Sequence, residues 1–143
     1  MENEMKLLTG AKAPEFSLVA HNGETIRLSQ LQGKWVVLYF YPKDDTPGCT
    51  KEACNFRDQL PNFKKKKAVI LGVSKDGQDS HQKFVDKFSL PFLLLSDTNG
   101  QASKAYGVVN RSTFLIDPQG NISRAWYGVK VDGHDAEVLA AIG

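Results

Sequence analysis

The sequence predicts a single α/β domain covering residues 1–143, with a central mixed β-sheet flanked by helices and an N-terminal β-hairpin. Two apolar runs rich in β-branched and aromatic residues, W-V-V-L-Y-F-Y at 35–41 and V-I-L-G-V at 69–73, are typical of strands buried on both faces of a sheet. Segments with apolar residues at helical spacing follow each of these runs. With 143 residues, of which 41% are hydrophobic, the chain is long enough for one globular core.

The N-terminal elements are predicted from turn residues. Asn22 and Gly23, next to His21, provide the positive φ angles of a tight hairpin turn. Ser29 is expected to cap one helical turn, which Gly33 ends before the first buried strand. The predicted elements are an irregular lead at 6–14, strands at 16–19 and 25–28, a helical turn at 29–31, a strand at 35–41, a helix at 49–67, a strand at 68–73, a helix at 80–88, a strand at 91–95, a helix at 101–106, strands at 113–117 and 122–127, and a helix at 132–142.

Three of the predicted helices have an apolar face. These faces consist of Phe56, Leu60 and Phe63 in the first helix, of Phe84, Val85 and Phe88 in the second, and of Val138, Leu139 and Ile142 in the last. Pro61 lacks a backbone N–H, so we expect it to end or kink the first helix near Leu60. The last two strands are joined by P-Q-G-N, a turn with proline at i+1 and glycine at i+2.

The order of these elements is a hairpin, then β-α-β-α-β, then a second hairpin and a helix. Such an order builds a β-α-β core with an antiparallel extension. It fits a thioredoxin-like α/β sandwich with an N-terminal hairpin.

The segment P-K-D-D-T-P-G-C-T-K-E-A-C at 42–54 contains both cysteines of the chain. With Thr46 as N-cap, Pro47 takes the first helical position and Cys49 the third. The free N–H groups and the positive end of the helix dipole favour an anion there, so we expect Cys49 to be mostly thiolate. Gly48 has no side chain and should leave the sulfur open to a small electrophile.

The alternative is that Cys49 is an inert buried residue and that Thr46 serves only as a cap. However, Cys49 follows the carboxyl end of a buried strand, where open α/β sheets carry their sites. This position favours an activated nucleophile.

The segment P-K-D-D-T-P-G-C resembles the peroxiredoxin active-site motif, in which a proline is followed four residues later by Thr or Ser and three residues after that by Cys. A second Cys five positions after the first is similar to the bacterioferritin comigratory protein subgroup, also called the Q type. The resemblance extends over most of the chain, through A-P-E-F-S-L at 13–18, L-L-S-D at 94–97, R-S-T-F-L-I-D at 111–117 and V-D-G-H at 131–134.

This resemblance implies that Cys49 is the peroxidatic cysteine. It also implies that Thr46 orients the peroxide, that Pro42 shields the sulfur from bulk water, and that Gly48 lies at the substrate. Arg111 is implied to bind the peroxide and to stabilise the thiolate, although from its position alone it is a solvated strand end. The segment G-V-V-N-R at 107–111 is shorter than in many relatives, yet we expect Arg111 to lie near the sulfur.

Two further residues have a secondary place in this prediction. Glu52 lies on the same helical face as Cys49, and its position in the family often neighbours the arginine. From the residues alone, Glu52 is an exposed surface acid. Tyr41, at the end of its strand, is a candidate for lining the pocket.

Cys54 is the implied resolving cysteine. On an intact helix, Cα atoms five residues apart are separated by roughly 8–9 Å, whereas a disulfide needs about 7 Å or less. A bond between Cys49 and Cys54 therefore requires local unwinding. We hypothesise that Cys49 becomes a sulfenic acid, that the first turns unwind, and that Cys54 condenses with it. The alternative is that Cys54 packs as a buried residue under the helix.

Composition excludes several classes of function. A net charge of +2 argues against nucleic acid or membrane partners, and the basic run at 64–67 is expected to be a solvated helix end rather than a binding patch. The chain begins without a secretory leader pattern, which predicts a cytoplasmic location. His21, His81 and His134 lack metal-ligand spacing with the cysteines, so no metal or cofactor is predicted.

The favoured function is a peroxidase acting on hydrogen peroxide or small organic hydroperoxides. The expected partner is thioredoxin or a glutaredoxin-like reductant, and the expected state is a monomer or weak homodimer. One alternative is a thioredoxin-type disulfide exchanger, although the C-x-x-C motif of such enzymes is absent. The other is a non-catalytic binding or chaperone-like module.

Overall fold

The computed structural model describes residues 9–143, so part of the predicted lead at 6–14 lies outside the described residues. The described part folds into seven strands, four α-helices and a short 3-10 turn. In chain order these are β1 (Ser17–Ala20), β2 (Thr25–Arg27), the 3-10 turn (Leu28–Leu31), β3 (Trp35–Phe40), α1 (Pro47–Lys65), β4 (Ala68–Ser74), α2 (Gln78–Phe88), β5 (Leu93–Ser96), α3 (Gln101–Ala105), β6 (Ser112–Ile116), β7 (Ile122–Trp126) and α4 (His134–Ala141).

All the described strands form one mixed sheet in the order β2-β1-β5-β4-β3-β6-β7. The central strands β3, β4 and β5 are parallel, because α1 and α2 return the chain to the same end of the sheet. The hairpin β1–β2 and the hairpin β6–β7 add antiparallel strands on the two sides. This confirms the predicted fold class.

Apolar side chains fill both faces of the sheet. One layer, between the sheet and α1, α2 and α4, contains Val37, Tyr39, Phe56, Phe63 and Phe84. The other lies against the N-terminal segment and α3, and contains Leu38, Phe40, Leu71, Tyr106 and Phe114. Because β3 contributes alternate residues to both layers, it is buried on both faces, as its continuous apolar run predicts.

Pro61 does not end the first helix, so the expected end near Leu60 is wrong, while the alternative of a kink there stays a prediction. α1 continues to Lys65, with Pro61 exposed inside it. Leu60 and Phe63, on either side of the proline, are buried against the sheet. Burial of such side chains stabilises by roughly 1.5–3 kcal/mol each, which outweighs the roughly 3 kcal/mol cost of an interior proline.

Three turns also differ from the prediction. In the first hairpin Gly23 has φ 89°, and Asn22 is not among the residues with positive φ. In the last hairpin the Gly120 N–H donates to the Asp117 carbonyl, so glycine stands at the fourth position of the turn rather than the third. The 3-10 turn begins after Arg27, not at a Ser29 cap.

The strand register explains which residues meet at the carboxyl end of β3. In the antiparallel pair of β3 and β6, Phe40 is opposite Ser112. The residues that follow β3 and the residue that precedes β6 therefore lie at the same edge of the sheet. α1 and Arg111 come together there.

Candidate active site

Cys49 lies in the first turn of α1, after an N-cap at Thr46 and Pro47 at the first position. This is the predicted position. The Thr46 hydroxyl does not cap the helix; it donates instead to the Lys43 carbonyl at 3.2 Å, which closes the loop before the helix. The free N–H groups of the first turn thus keep their partial positive charge close to the sulfur.

Arg111 supplies the cation next to Cys49. Its Nη2 lies 3.4 Å from the Cys49 Sγ, although the two residues are far apart in the chain. Its Nη1 donates to Glu52 Oε1 at 2.7 Å. The short segment 107–111 therefore brings the guanidinium within contact distance of the sulfur, because Arg111 stands directly before β6.

Glu52 is buried rather than exposed, so the interpretation of this residue as a surface acid is wrong. Only 2% of its surface is accessible. Glu52 lies about one helical turn after Cys49, and its Oε1 contacts Arg111 Nη1. Its other oxygen, Oε2, has no hydrogen-bond partner among the described residues. The helical spacing between Cys49 and Glu52 indicated that the two residues share a face of α1, but it did not indicate that Glu52 is buried.

Burial and charge act against each other in this ion pair. Burial raises the pKa of Glu52 to about 7, against the lowering effect of the Arg111 charge. Burial also opposes the charge on Arg111, but its interactions with Glu52 and Cys49 outweigh this, and the pKa of Arg111 is raised. The guanidinium therefore stays charged, and it can stabilise a thiolate or an anionic leaving oxygen.

The sulfur is more enclosed than Gly48 alone led us to expect. Cys49 is 1% exposed, whereas the Arg111 side chain next to it is 14% exposed. A Cβ atom at Gly48 would lie 3.0 Å from Arg111 Nη2. The missing side chain at Gly48 thus makes room for the guanidinium.

Tyr41 and Pro42 lie directly after β3, at the start of the loop that leads to α1. Pro42 is exposed and, with Tyr41 and Asn110, borders a cavity of about 260 Å³. Asn110 has φ 51°, a conformation rare outside glycine, immediately before Arg111. Tyr41 is buried, and its hydroxyl donates to Asp44 Oδ1 at 2.6 Å.

Both cysteines are free thiols on the same unbroken helix. Cys54 is half-buried, so it is not enclosed in the way the packing alternative requires. An intact helix holds the two residues too far apart for a disulfide.

Other candidate chemistry is limited within residues 9–143. No group of three or more His, Cys, Asp or Glu residues there is arranged to hold a metal ion. None of the described helices combines the length and the hydrophobicity that a bilayer span requires.

Sequence reasoning missed the buried pair of Asp44 and His81, whose Oδ2 and Nδ1 atoms lie 2.7 Å apart, because no local pattern connects them.

Comparison with known proteins gives consistent results. Residues 9–125 match the model of the AhpC/TSA family. The chain is 49% identical to a protein named putative peroxiredoxin bcp of Coxiella burnetii, over 96% of this chain and 100% of that protein. It is 46% identical to peroxiredoxin Bcp of Bacillus subtilis, over 96% of each chain.

Among solved structures, the bacterioferritin comigratory protein of Xanthomonas campestris, described for its alkyl peroxide reduction activity, superposes with a TM-score of 0.87. The two chains are 41% identical, and 89% of each is covered. The chain therefore belongs to the AhpC/TSA family, and within it to the Bcp and peroxiredoxin Q group of thiol-dependent peroxidases.

Proposed function

We propose that the chain reduces hydrogen peroxide and small organic hydroperoxides with Cys49 as the peroxidatic cysteine. The observation that carries this proposal is the 3.4 Å contact between Cys49 Sγ and Arg111 Nη2 at the start of α1. A helix N-terminus and a guanidinium together stabilise a thiolate, which is the nucleophilic form of cysteine. The alkyl peroxide activity of the Xanthomonas relative supports organic hydroperoxides as a substrate class.

In the first step the thiolate attacks one oxygen of the peroxide. A sulfur–oxygen bond forms, the O–O bond breaks, and the leaving oxygen takes up a proton to depart as water or an alcohol. Arg111 is assigned to stabilise the charge on that oxygen, and Glu52 to hold Arg111 in position through its 2.7 Å contact. Thr46 is assigned to orient the peroxide.

Three further residues complete the substrate site in this proposal. Pro42 shields the sulfur from bulk water on the exposed side of the loop, and Gly48 keeps the approach free of a side chain. Tyr41 has an indirect place, because its hydroxyl bonds the loop through Asp44.

In the second step Cys54 resolves the sulfenic acid. The Cys54 sulfur attacks the sulfenic sulfur, a disulfide forms, and the oxygen leaves as water. Because both residues lie on α1, the first turns of that helix must unwind before the bond can form. Free Cys54, half-buried and on the same element, supports this assignment.

A dithiol protein of the thioredoxin or glutaredoxin type is proposed to donate the two electrons that return the disulfide to two thiols. Such a cycle suits the reducing cytoplasm, where cysteines are usually catalytic rather than structural. We propose that a monomer or a weak homodimer, folded as one domain over 1–143, carries it out without a cofactor.

The test of Cys49 is a stopped-flow measurement of peroxide reduction by the wild type, Cys49→Ser and Cys54→Ser. We expect Cys49→Ser to abolish the fast reaction and Cys54→Ser to retain the first turnover. Fast reaction in Cys49→Ser would refute the assignment. Insulin reduction without peroxide consumption would favour a disulfide exchanger instead.

The test of Cys54 is mass spectrometry of peptides after one equivalent of peroxide. The expected product contains a bridge between Cys49 and Cys54. If no such bridge forms while Cys49 is oxidised, Cys54 is not the resolving residue.

A further inference from the structure

The loop between β3 and α1 is held by a buried network of hydrogen bonds around Asp44. Asp44, in this loop, accepts hydrogen bonds from Tyr41 Oη at 2.6 Å and from Ser80 Oγ at 2.8 Å. Its Oδ2 also lies 2.7 Å from His81 Nδ1. The Asp44 N–H donates to Asp76 Oδ2 at 2.8 Å. The loop is thus connected to β3, to α2 and to the turn after β4.

His81 lies at the centre of this network and has 0% exposed surface. Its Nε2 lies 3.0 Å from the Leu95 carbonyl oxygen, an atom that only accepts, so Nε2 carries a hydrogen. Its Nδ1 faces the Asp44 carboxylate. Burial opposes ionisation of Asp44, but hydrogen bonds from His81, Tyr41 and Ser80 outweigh it, and the pKa of Asp44 is lowered.

Both ring nitrogens of His81 thus face oxygen atoms that can accept a hydrogen, the Leu95 carbonyl and the Asp44 carboxyl group. The other titratable groups close to this pair are Tyr41, Asp76 and His21, and the pKa of His21 is lowered first by burial and then by the charge of His81. A buried pair of this kind is sensitive to the loss of either partner.

This pair acts on the residues that precede Cys49. Only four residues separate Asp44 from Cys49, and they include Asp45 with φ 59° and the N-cap Thr46. Asp45 is also held from α2, by Lys87 Nζ at 2.8 Å. α2 therefore contacts the loop at two points, Asp44 and Asp45, while Arg111 contacts Cys49 at the start of α1.

We propose that His81 donates a hydrogen bond from each ring nitrogen and is a positioning residue, which holds Asp44 and thereby keeps Cys49 within reach of Arg111. This proposal rests on the proposed function only for the expected change in the rate of Cys49 with hydrogen peroxide. Since the first turns of α1 must unwind during resolution, a loop fixed by α2 also gives the chain an anchored end from which the helix can refold.

The direct test is the protonation of His81, measured by long-range proton–nitrogen NMR on the reduced protein labelled with ¹⁵N-histidine, at about pH 7.5 where free imidazole is mostly neutral. We expect both ring nitrogens of His81 to show imidazolium shifts. A neutral tautomer would overturn the proposal. This readout does not depend on peroxidase activity.

The second test compares His81→Gln with His134→Gln, a matched control. His134 is equally buried, but it bonds Thr113 and Glu137 rather than the loop. We expect His81→Gln to lower the second-order rate of Cys49 with hydrogen peroxide at least tenfold. The amides of Asp44 and Thr50, which donate to Asp76 Oδ2 and the Thr46 carbonyl, should exchange at least tenfold faster.

The control should change both quantities less than threefold. Unchanged exchange in His81→Gln would overturn the proposal. If His81→Gln does not fold, Ser80→Ala removes one bond to Asp44 and should give the same changes in smaller measure; unchanged rates there would overturn it as well. If Cys49→Ser shows that peroxide reduction does not use Cys49, the proposed function fails, while the NMR and exchange results still decide this proposal.

Discussion

At the scale of single residues, the Arg111 guanidinium contacts both the Glu52 carboxyl group and the Cys49 sulfur. Arg111 uses Nη1 for Glu52 and Nη2 for Cys49, and the planar fork of the arginine side chain sets the angle between these contacts. Lysine offers a point charge without this geometry. Each neighbour of the guanidinium can therefore be tested by one substitution.

Replacing Arg111 with Ala should slow peroxide reduction by about two orders of magnitude. A hydrogen bond to a charged group is worth about 1.5–3 kcal/mol, and each 1.36 kcal/mol is tenfold in rate. Stopped-flow kinetics measure the effect. Arg124→Ala is the control, since that guanidinium lies over Trp126 on β7. Normal kinetics in Arg111→Ala would mean that another cation serves the sulfur.

Replacing Gly48 with Ala should displace Arg111 without removing it. The new Cβ would lie 3.0 Å from Nη2, so the guanidinium must move by a few tenths of an ångström. We expect a loss of several-fold to tenfold in the rate of Cys49 with peroxide, because small misplacements of catalytic groups are costly. Gly77→Ala, where no atom lies within 4 Å of the new Cβ, should have no such effect.

Replacing Glu52 with Gln should change the pH dependence of stability. The pKa of Glu52 is raised from 4.5 to about 7 in the folded protein, so the folded state binds more protons than the unfolded state between these values. Glu52 therefore lowers the stability of the wild type progressively as pH rises through this window. The total loss is on the order of 1–3 kcal/mol.

Urea unfolding at pH values on both sides of this window measures the effect. Relative to Glu52→Gln, the wild type should lose stability as the pH rises. A constant difference between the two proteins across the window would contradict the raised pKa.

At the scale of elements, the proposed mechanism gives α1 two roles that oppose each other. Its first turn is formed where Cys49 lies beside Arg111, and under the proposal the same turn opens before Cys54 reaches Cys49. The rest of α1 is held by buried Phe56, Leu60 and Phe63. Unwinding is therefore expected to be confined to the N-terminal turns.

Oxidation with one equivalent of peroxide should reduce the helical circular-dichroism signal by the amount of about two turns. The loss should reverse when a dithiol is added, and it should be absent in Cys54→Ser, which cannot form the bridge. An unchanged signal in a protein with a proven bridge between Cys49 and Cys54 would contradict the requirement for unwinding.

At the scale of the whole molecule, the central strands β3, β4 and β5 are packed so closely that Gly72 has no space for a side chain. Gly72 of β4 lies between Tyr39 of β3 and Leu94 of β5 in the register of the sheet. A Cβ atom there would lie 2.7 Å from Leu94 Cδ2 and 2.9 Å from Tyr39 Cζ. The glycine allows a large aromatic ring to occupy the core layer next to Cys49.

Gly72→Ala should therefore lower the free energy of unfolding by about 1–3 kcal/mol through overpacking. Thermal or urea unfolding of Gly72→Ala and of the wild type measures this. Equal stability of the two proteins would mean that Leu94 and Tyr39 can move aside at no cost.

The sequence by itself determined the class of fold, the position of nearly every element and the place of Cys49 in a helical first turn. These follow from signals that act within one turn or one strand, such as the Thr-Pro pair before Gly48 and the apolar run of β3. Glu52 shows the limit of such signals. Its spacing from Cys49 indicated a shared face, but not its burial.

Apart from the contact of Arg111 with Cys49, which the family resemblance led us to expect, only the tertiary structure decided which distant residues meet. Arg111 and Cys49 are 62 positions apart, and His81 and Asp44 are 37 apart. The first contact depends on the register that pairs Phe40 with Ser112. The second depends on the packing of α2 against the loop between β3 and α1. Pro61 was decided in the same way, because packing against the sheet outweighed its local preference to end a helix.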